Sequence, residues 1–159
     1  LIHPTAVIGD PPEQRGFDGP EYPPLIDPAA RIEAYCTVDA GTEQRTQVSP
    51  GAWLMKGCHV GHDAVIGFGA ELAPHCSVGG HAVIGNHVRV GQGALFKPYV
   101  KVGDGARIGM GSVVISDVPE GEVWAGNPAR RIHPAPSRMT ELEEAGWEDW
   151  WQASRPASV

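Results

Sequence analysis

The 159-residue chain is short of positive charge, with 12 Lys and Arg against 19 Asp and Glu and a formal net charge of −7. That balance argues against a nucleic-acid footprint built on basic surface. Aromatic residues are scarce, at 7 %. No apolar run approaches the roughly 20 residues of a membrane-spanning helix. The opening Leu1-Ile2-His3-Pro4 has neither the basic start nor the apolar stretch of a signal peptide. The three cysteines are odd in number and form no CxxC pair, which disfavours a disulfide framework or a cysteine-based zinc site. Glycine and proline, by contrast, are abundant: 21 and 15 residues, about 23 % of the chain against a usual share of roughly 12 %. A helical bundle tolerates that poorly, since each such residue costs roughly 1–3 kcal/mol inside a helix. Disorder is disfavoured too, because 42 % of the chain is hydrophobic and evenly spread. The expected class is a soluble, cytoplasmic, turn-rich all-β protein.

A six-residue period organises the chain. Val48, Leu54, Val60, Ile66, Leu72, Val78, Ile84, Val90, Phe96, Val102, Ile108 and Val114 recur without a slip. Four residues after each stands a small or modest side chain, among them Ala52, Cys58, Ala64, Ala70, Cys76 and Ala82. Often the residue directly after the aliphatic is glycine, as at Gly61, Gly67, Gly79, Gly85 and Gly91. The pattern predicts short flat strands with both the aliphatic and the small residue inward, each glycine giving the tight turn its positive φ. Three strands make a triangular coil of 18 residues, and coils stack at roughly 4.8 Å, as in any solenoid. About six coils are expected in all.

Upstream, Ile26, Ile32 and Val38 are in step, but Val38 and Val48 are ten residues apart, so a short loop leaves the coil near Glu43–Gln47. Residues 11–24 carry five prolines and no period, and read as a large protruding loop after an opening coil fragment, Ile2–Gly9. Downstream the period ends near Pro119. Leu142, Ala145, Trp147, Trp150 and Trp151 then show helical spacing, predicting a C-terminal helix over about 138–151. The expected organisation is a β-helix domain over 1–132 and a C-terminal extension over 133–159.

Cys36, Cys58 and Cys76 share the small inward position and should stack in one column of free buried thiols. Of seven histidines, His75 and His87 read as solvated turn residues. His59, His62 and His81 fall near one edge of the solenoid on adjacent coils, with Asp63 directly after His62. Two chemistries fit that cluster. Three neutral imidazoles could hold a zinc ion with an open position. Alternatively, His62, oriented by Asp63, could take a proton from a hydroxyl or amine attacking a thioester. A neutral imidazole is then required, so activity falls as the pH drops through the ordinary histidine range near about 6.5. A catalytically silent scaffold is the third reading.

The hexads from Ile26 to Ile132 resemble those of the hexapeptide-repeat acyltransferases, which are left-handed parallel β-helices. Within that family the likeness is to the UDP-N-acetylglucosamine O-acyltransferases of lipid A synthesis and their sugar N-acyltransferase relatives. It rests on Ile2-His3-Pro4-Thr5-Ala6, on Ile8-Gly9-Asp10-Pro11-Pro12-Glu13-Gln14, and on Leu54-Met55-Lys56-Gly57-Cys58-His59-Val60-Gly61-His62-Asp63. The resemblance implies His62 as general base, Asp63 as its orienting partner and the Gly80 N–H as the oxyanion site. It implies that His59 and His81 line the acceptor pocket, with further contacts from Gln14 and from Lys97, which stands where that family has a pocket histidine. Ala125-Gly126-Asn127-Pro128-Ala129-Arg130-Arg131-Ile132 is similar to the last coil of members that use coenzyme A. Gly126, Asn127, Arg130 and Arg131 would there meet the pantetheine arm and phosphates. The family also implies a homotrimer, a (nucleotide-linked) sugar acceptor, acyl-CoA or acyl carrier protein as donor, and no metal or permanently bound cofactor. The γ-class carbonic anhydrases share the fold, but their likeness demands two histidines five residues apart, and five residues after His62 stands Gly67.

Overall fold

A computed structural model describes residues 1–132, and the predicted helix over 138–151 and the extension from 133 lie outside them. The hexads fold as the left-handed parallel β-helix that the resemblance implies. Eighteen short strands form three sheets. The first holds β1 (Val7–Asp10), β4 (Thr37–Asp39), β7 (His59–Val60), β10 (Ser77–Val78), β13 (Leu95–Phe96) and β16 (Val113–Val114). The second holds β2 (Leu25–Ile26), β5 (Gln47–Val48), β8 (Val65–Ile66), β11 (Val83–Ile84) and β14 (Lys101–Val102). The third holds β3 (Arg31–Ile32), β6 (Trp53–Leu54), β9 (Glu71–Leu72), β12 (Arg89–Val90), β15 (Arg107–Ile108), β17 (Val123–Gly126) and β18 (Ala129–Arg131). All pairings are parallel except β17 with β18, a hairpin turned through a cis Asn127–Pro128 peptide bond.

In the regular coils the second residue of each strand points inward. Leu54, Ile66, Leu72 and Ile84 are wholly buried, as are Val60 and Val78, and each contributes roughly 1.5–3 kcal/mol by leaving water. Because each strand pairs with the one 18 residues on, as Val60 does with Val78 and Val78 with Phe96, like positions stack into columns. The small residues form columns of their own. Cys36, Cys58 and Cys76 are free and buried as expected, their thiols donating to the carbonyls of Met55, Ala73 and Gly91 at 3.1–3.2 Å.

The role predicted for the glycines after each aliphatic is wrong. Positive φ occurs two residues later, at Gly51, Gly69 and Gly93, and also at Asp63, His75, His81, His87 and Tyr99. The post-aliphatic glycines are needed for close approach instead. A Cβ on Gly67 would lie 2.6 Å from the Gly85 carbonyl carbon, and one on Gly79 would lie 2.6 Å from the Pro98 nitrogen. At these two turns the neighbouring backbone stands too close for a side chain, whereas Met55, Ala73 and Lys97 fill the same position in other hexads.

Two departures from the period meet at one corner. The proline-rich segment 11–24 leaves after β1, and its far end, Tyr22, bridges to Gly41 in the insertion between β4 and β5. The N–H groups of Tyr22 and Gly41 donate to each other's carbonyls at 2.9 and 2.8 Å. Both irregularities therefore sit where the first sheet turns into the second.

Candidate functional site

That corner carries the histidine cluster. Following the inward Val60 and Val78, the turns Gly61-His62-Asp63 and Gly79-Gly80-His81 stack one above the other. Asp63 occupies the left-handed backbone position at φ 62°, a conformation that aspartate adopts more readily than most residues. Its carboxylate is fully buried and wrapped by the insertion. Oδ1 accepts the N–H groups of Thr42, Glu43 and Gln44 at 3.0, 2.9 and 2.7 Å. Oδ2 accepts the Thr42 hydroxyl at 2.7 Å and shares the Thr42 N–H at 3.0 Å. The Asp63 backbone is tied in turn, its N–H donating to Thr46 Oγ1 and its carbonyl accepting from Gln44 Nε2, both at 2.9 Å. Burial opposes ionisation of Asp63, but the Gln44 N–H, His62 and Thr42 outweigh it and hold the carboxyl well below the usual carboxylate range.

An acceptor-only carboxylate beside an imidazole fixes which ring nitrogen carries the proton. His62 Nδ1–H donates to Asp63 Oδ2 at 2.8 Å, so the lone pair lies on Nε2. That nitrogen rests against Gly80, where an added Cβ would stand only 2.6 Å away. The Gly80 N–H donates to no acceptor among the described residues, although the residue is buried. A base lone pair and an uncommitted backbone donor thus belong to adjacent, contacting residues. His81 completes the wall, stacked on Tyr99 with centroids 4.5 Å apart and edge-on to His62 at 5.1 Å.

His59 belongs to a neighbouring feature. Its Nδ1 is 2.8 Å from Thr37 Oγ1, and its Nε2 is 3.9 Å from Asp39 Oδ2. Together with Asp10, Pro11 and Glu13 these residues line a cavity of about 340 Å³. Of the other expected contacts, Gln14 is exposed, and it is Glu13 from the same loop that faces the cavity. Lys97 lies on the same corner, one coil beyond the turn that carries Gly80, and is exposed. Gly126, Asn127, Arg130 and Arg131 form the β17–β18 hairpin of the third sheet, opposite this corner, and Arg131 is paired with Glu122 at 3.2 Å. The chain does not bring them to His62. Sequence reasoning missed the Thr42–Gln44 cradle, Thr37, Asp39 and the Asp10–Glu13 rim; the one available signal was the ten-residue step from Val38 to Val48.

His62, Asp63 and His81 have ligand atoms within 4.8 Å of one another, the distance range of a metal site. The donor set does not fit one, because both Asp63 oxygens are filled by N–H and O–H donors and His62 Nδ1 is spent on the same carboxylate.

The architecture and its corner define a hexapeptide-repeat β-helix of the kind found in acyltransferases. The model of the family described as bacterial transferase hexapeptide (six repeats) matches residues 63–98 and 81–116. The UDP-3-O-acylglucosamine N-acyltransferase of Maricaulis maris is 48% identical over 120 residues, 76% of this chain and 34% of that protein. The crystal structure of UDP-N-acetylglucosamine O-acyltransferase from Moraxella catarrhalis superposes with a TM-score of 0.81 at 31% identity, covering 96% of this chain and 60% of that one. PerB from Caulobacter crescentus, in complex with CoA and GDP-perosamine, superposes with a TM-score of 0.65 at 25% identity, covering 83% of this chain and 56% of that one. The chain thus spans about a third of the curated relative and little more than half of the solved structures. Among the described residues, no helix is long and apolar enough to cross a membrane.

Proposed function

We propose that the chain transfers an acyl group from a coenzyme A or acyl carrier protein thioester to a hydroxyl or amine of a nucleotide-linked sugar. The carrying observation is the His62 tautomer: Nδ1–H is held by Asp63, leaving Nε2 as a base beside the free Gly80 N–H. His62 removes the acceptor's proton as its oxygen or nitrogen attacks the thioester carbonyl. The carbonyl oxygen gains charge and is met by the Gly80 N–H. Collapse expels the thiolate, which takes the proton back from His62. Asp63 does not itself titrate in this cycle; it fixes the ring and stabilises the imidazolium. The relatives support this reading, since their names place acyl carrier protein, coenzyme A and sugar nucleotides on the same fold.

His59, His62 and His81 face outward from two adjacent coils, which suits a cleft between subunits, and the reading includes a homotrimer. It would also bring a neighbouring subunit's Gly126–Arg131 hairpin, with Arg130 as the phosphate contact, toward a corner its own chain leaves it opposite. These acyl donors imply a cytoplasmic setting. The test is mass spectrometry of products after incubation with acetyl-CoA, longer acyl-CoAs or acyl carrier protein and a panel of nucleotide sugars, with sedimentation of the same sample. An acylated sugar that disappears in His62→Ala supports the reading; an equal yield from that variant removes His62 as the base.

A further inference from the structure

Beside the His62 turn, the 340 Å³ cavity lined by Asp10, Glu13, Asp39 and His59 is sized for a sugar ring rather than a bare ion. It gathers three carboxylates around one imidazole. Asp39 is 3% exposed, and its Oδ2 has no hydrogen-bond partner among the described residues. A buried acceptor left without a donor costs about 1–3 kcal/mol, so a fold that keeps one has a use for it. The polar groups around it cannot fill the gap. His59 Nε2 stays at 3.9 Å, and Thr37 Oγ1 is engaged with His59 Nδ1. Asp10 and Glu13 are acceptors like Asp39 itself. The missing complement is a donor with positive charge.

We propose that this cavity receives the protonated amino group of the acceptor, so that the acceptor is an amino sugar and the product an amide. This rests on the acyl-transfer reading and decides the point it leaves open. Proton balance supports the assignment. A hydroxyl gives up one proton on acylation, and His62 returns that proton to the departing thiolate. An ammonium must lose two as its N–C bond forms and the thioester C–S bond breaks: one leaves on the thiol through His62, and the second needs another base. Asp39 is that base, passing the proton on to solvent. Burial pushes its carboxyl up from the usual range, opposed by His59, reinforced by Glu13, opposed by His62 and reinforced by Asp10. A carboxylate raised in this way takes up a proton more readily than an exposed one.

The experiment pairs amine and hydroxyl probes on the purified chain: UDP-glucosamine with UDP-glucose, and GDP-perosamine with GDP-rhamnose. Binding is read by calorimetry, and products with the donors above by mass spectrometry. Wild-type protein should prefer the amine member of at least one pair by about tenfold or more. In Asp39→Asn, and separately in the rim double variant Asp10→Asn/Glu13→Gln, that preference should fall to within about twofold of parity. Circular dichroism melts confirm that each variant is folded, and the rim variant serves if Asp39→Asn is not. Equal binding within both pairs, no binding by any probe, or a preference that survives both substitutions overturns the proposal. An amine preference without acylated product keeps the cavity assignment and removes the transfer reading. Hydroxyl and amine probes acylated alike keep the transfer reading and remove the cavity assignment.

Discussion

Replacing Asp63 by asparagine separates a catalytic corner from a merely well-packed one. The side-chain volume is nearly unchanged, but the charge and one acceptor are lost. The remaining carbonyl oxygen can keep the Thr42, Glu43 and Gln44 N–H groups, now as bonds to a neutral acceptor. Neutral bonds of that kind are roughly half as strong as charge-assisted ones. The new amide NH₂ meets His62 Nδ1–H across the 2.8 Å contact, donor against donor. With the Thr42 hydroxyl turning to accept from the new amide instead of donating, three weakened bonds and one broken contact amount to about 3 kcal/mol, or a melting temperature lower by roughly 9 °C for a domain of this size. To escape the clash, His62 moves its proton to Nε2, and the base lone pair turns away from the acceptor. The expected loss in kcat is on the order of 10³–10⁴, the scale seen when the carboxylate behind a histidine base becomes an amide. Nitrogen-15 NMR of the ring reports the tautomer directly. The sign of the pH effect follows from the depressed Asp63 carboxyl. Its stabilisation is fully present above the unfolded value of about 3.9 and is lost as the pH falls toward its lower folded value. Wild-type protein should therefore lose melting temperature below about pH 4 more steeply than Asp63→Asn does. A variant that keeps the Nδ1–H tautomer and loses less than about tenfold in rate would refute the assignment of Asp63.

Four further outcomes follow. Gly67→Ala should destabilise by about 3 kcal/mol, because the new Cβ meets the Gly85 backbone at 2.6 Å. Gly93→Ala, in open space but at φ 70°, should cost only about 1 kcal/mol by denaturant titration. Leu72→Ala, at the centre of the inward column, should cost about 2–5 kcal/mol in the same assay. Dialysis against a chelator should leave acyl transfer unchanged and metal analysis should find well under one zinc per subunit; stoichiometric zinc together with chelator-sensitive activity would restore the zinc reading of the histidine cluster.

The scaffold was legible because its rule is local and repeated. A twelvefold hexad allows one way to bury Val48 through Val114, and the stacking of His62 under Gly80 follows from an 18-residue coil. The glycine assignment failed for a physical reason: sequence spacing shows that glycine recurs at a position, but not whether dihedral or steric demand is responsible. Gly67 directly follows its aliphatic and is closed in by the Gly85 backbone, whereas Gly93 stands two positions further on, in open space at φ 70°. The Asp63 cradle was hidden differently. Its donors are backbone N–H groups of Thr42, Glu43 and Gln44, and backbone donors have no sequence signature. Glu13 in place of Gln14 at the cavity was equally out of reach, since segment 11–24 has no period to set which side faces in.

The distribution of irregularity carries the functional argument further. A regular hexad satisfies most of its own hydrogen bonds by pairing with the coils above and below, and the Gly80 N–H is an exception beside the histidine turn. New polar capacity arises where the period is broken, and the two breaks here meet through the Tyr22–Gly41 bridge. They act in opposite senses. Residues 42–44 give Asp63 more donors than a turn could, which fixes its charge and orders His62. The end of β1 and the 11–24 loop that follows it set Asp10 and Glu13 beside Asp39 without placing a donor on its Oδ2, which leaves that carboxylate unsatisfied. One carboxylate is therefore saturated by the protein and the other is kept for something outside it. That asymmetry, across a single corner, is what a base and an adjoining acceptor pocket require: the group that must hold still is paired internally, and the group that must bind is not.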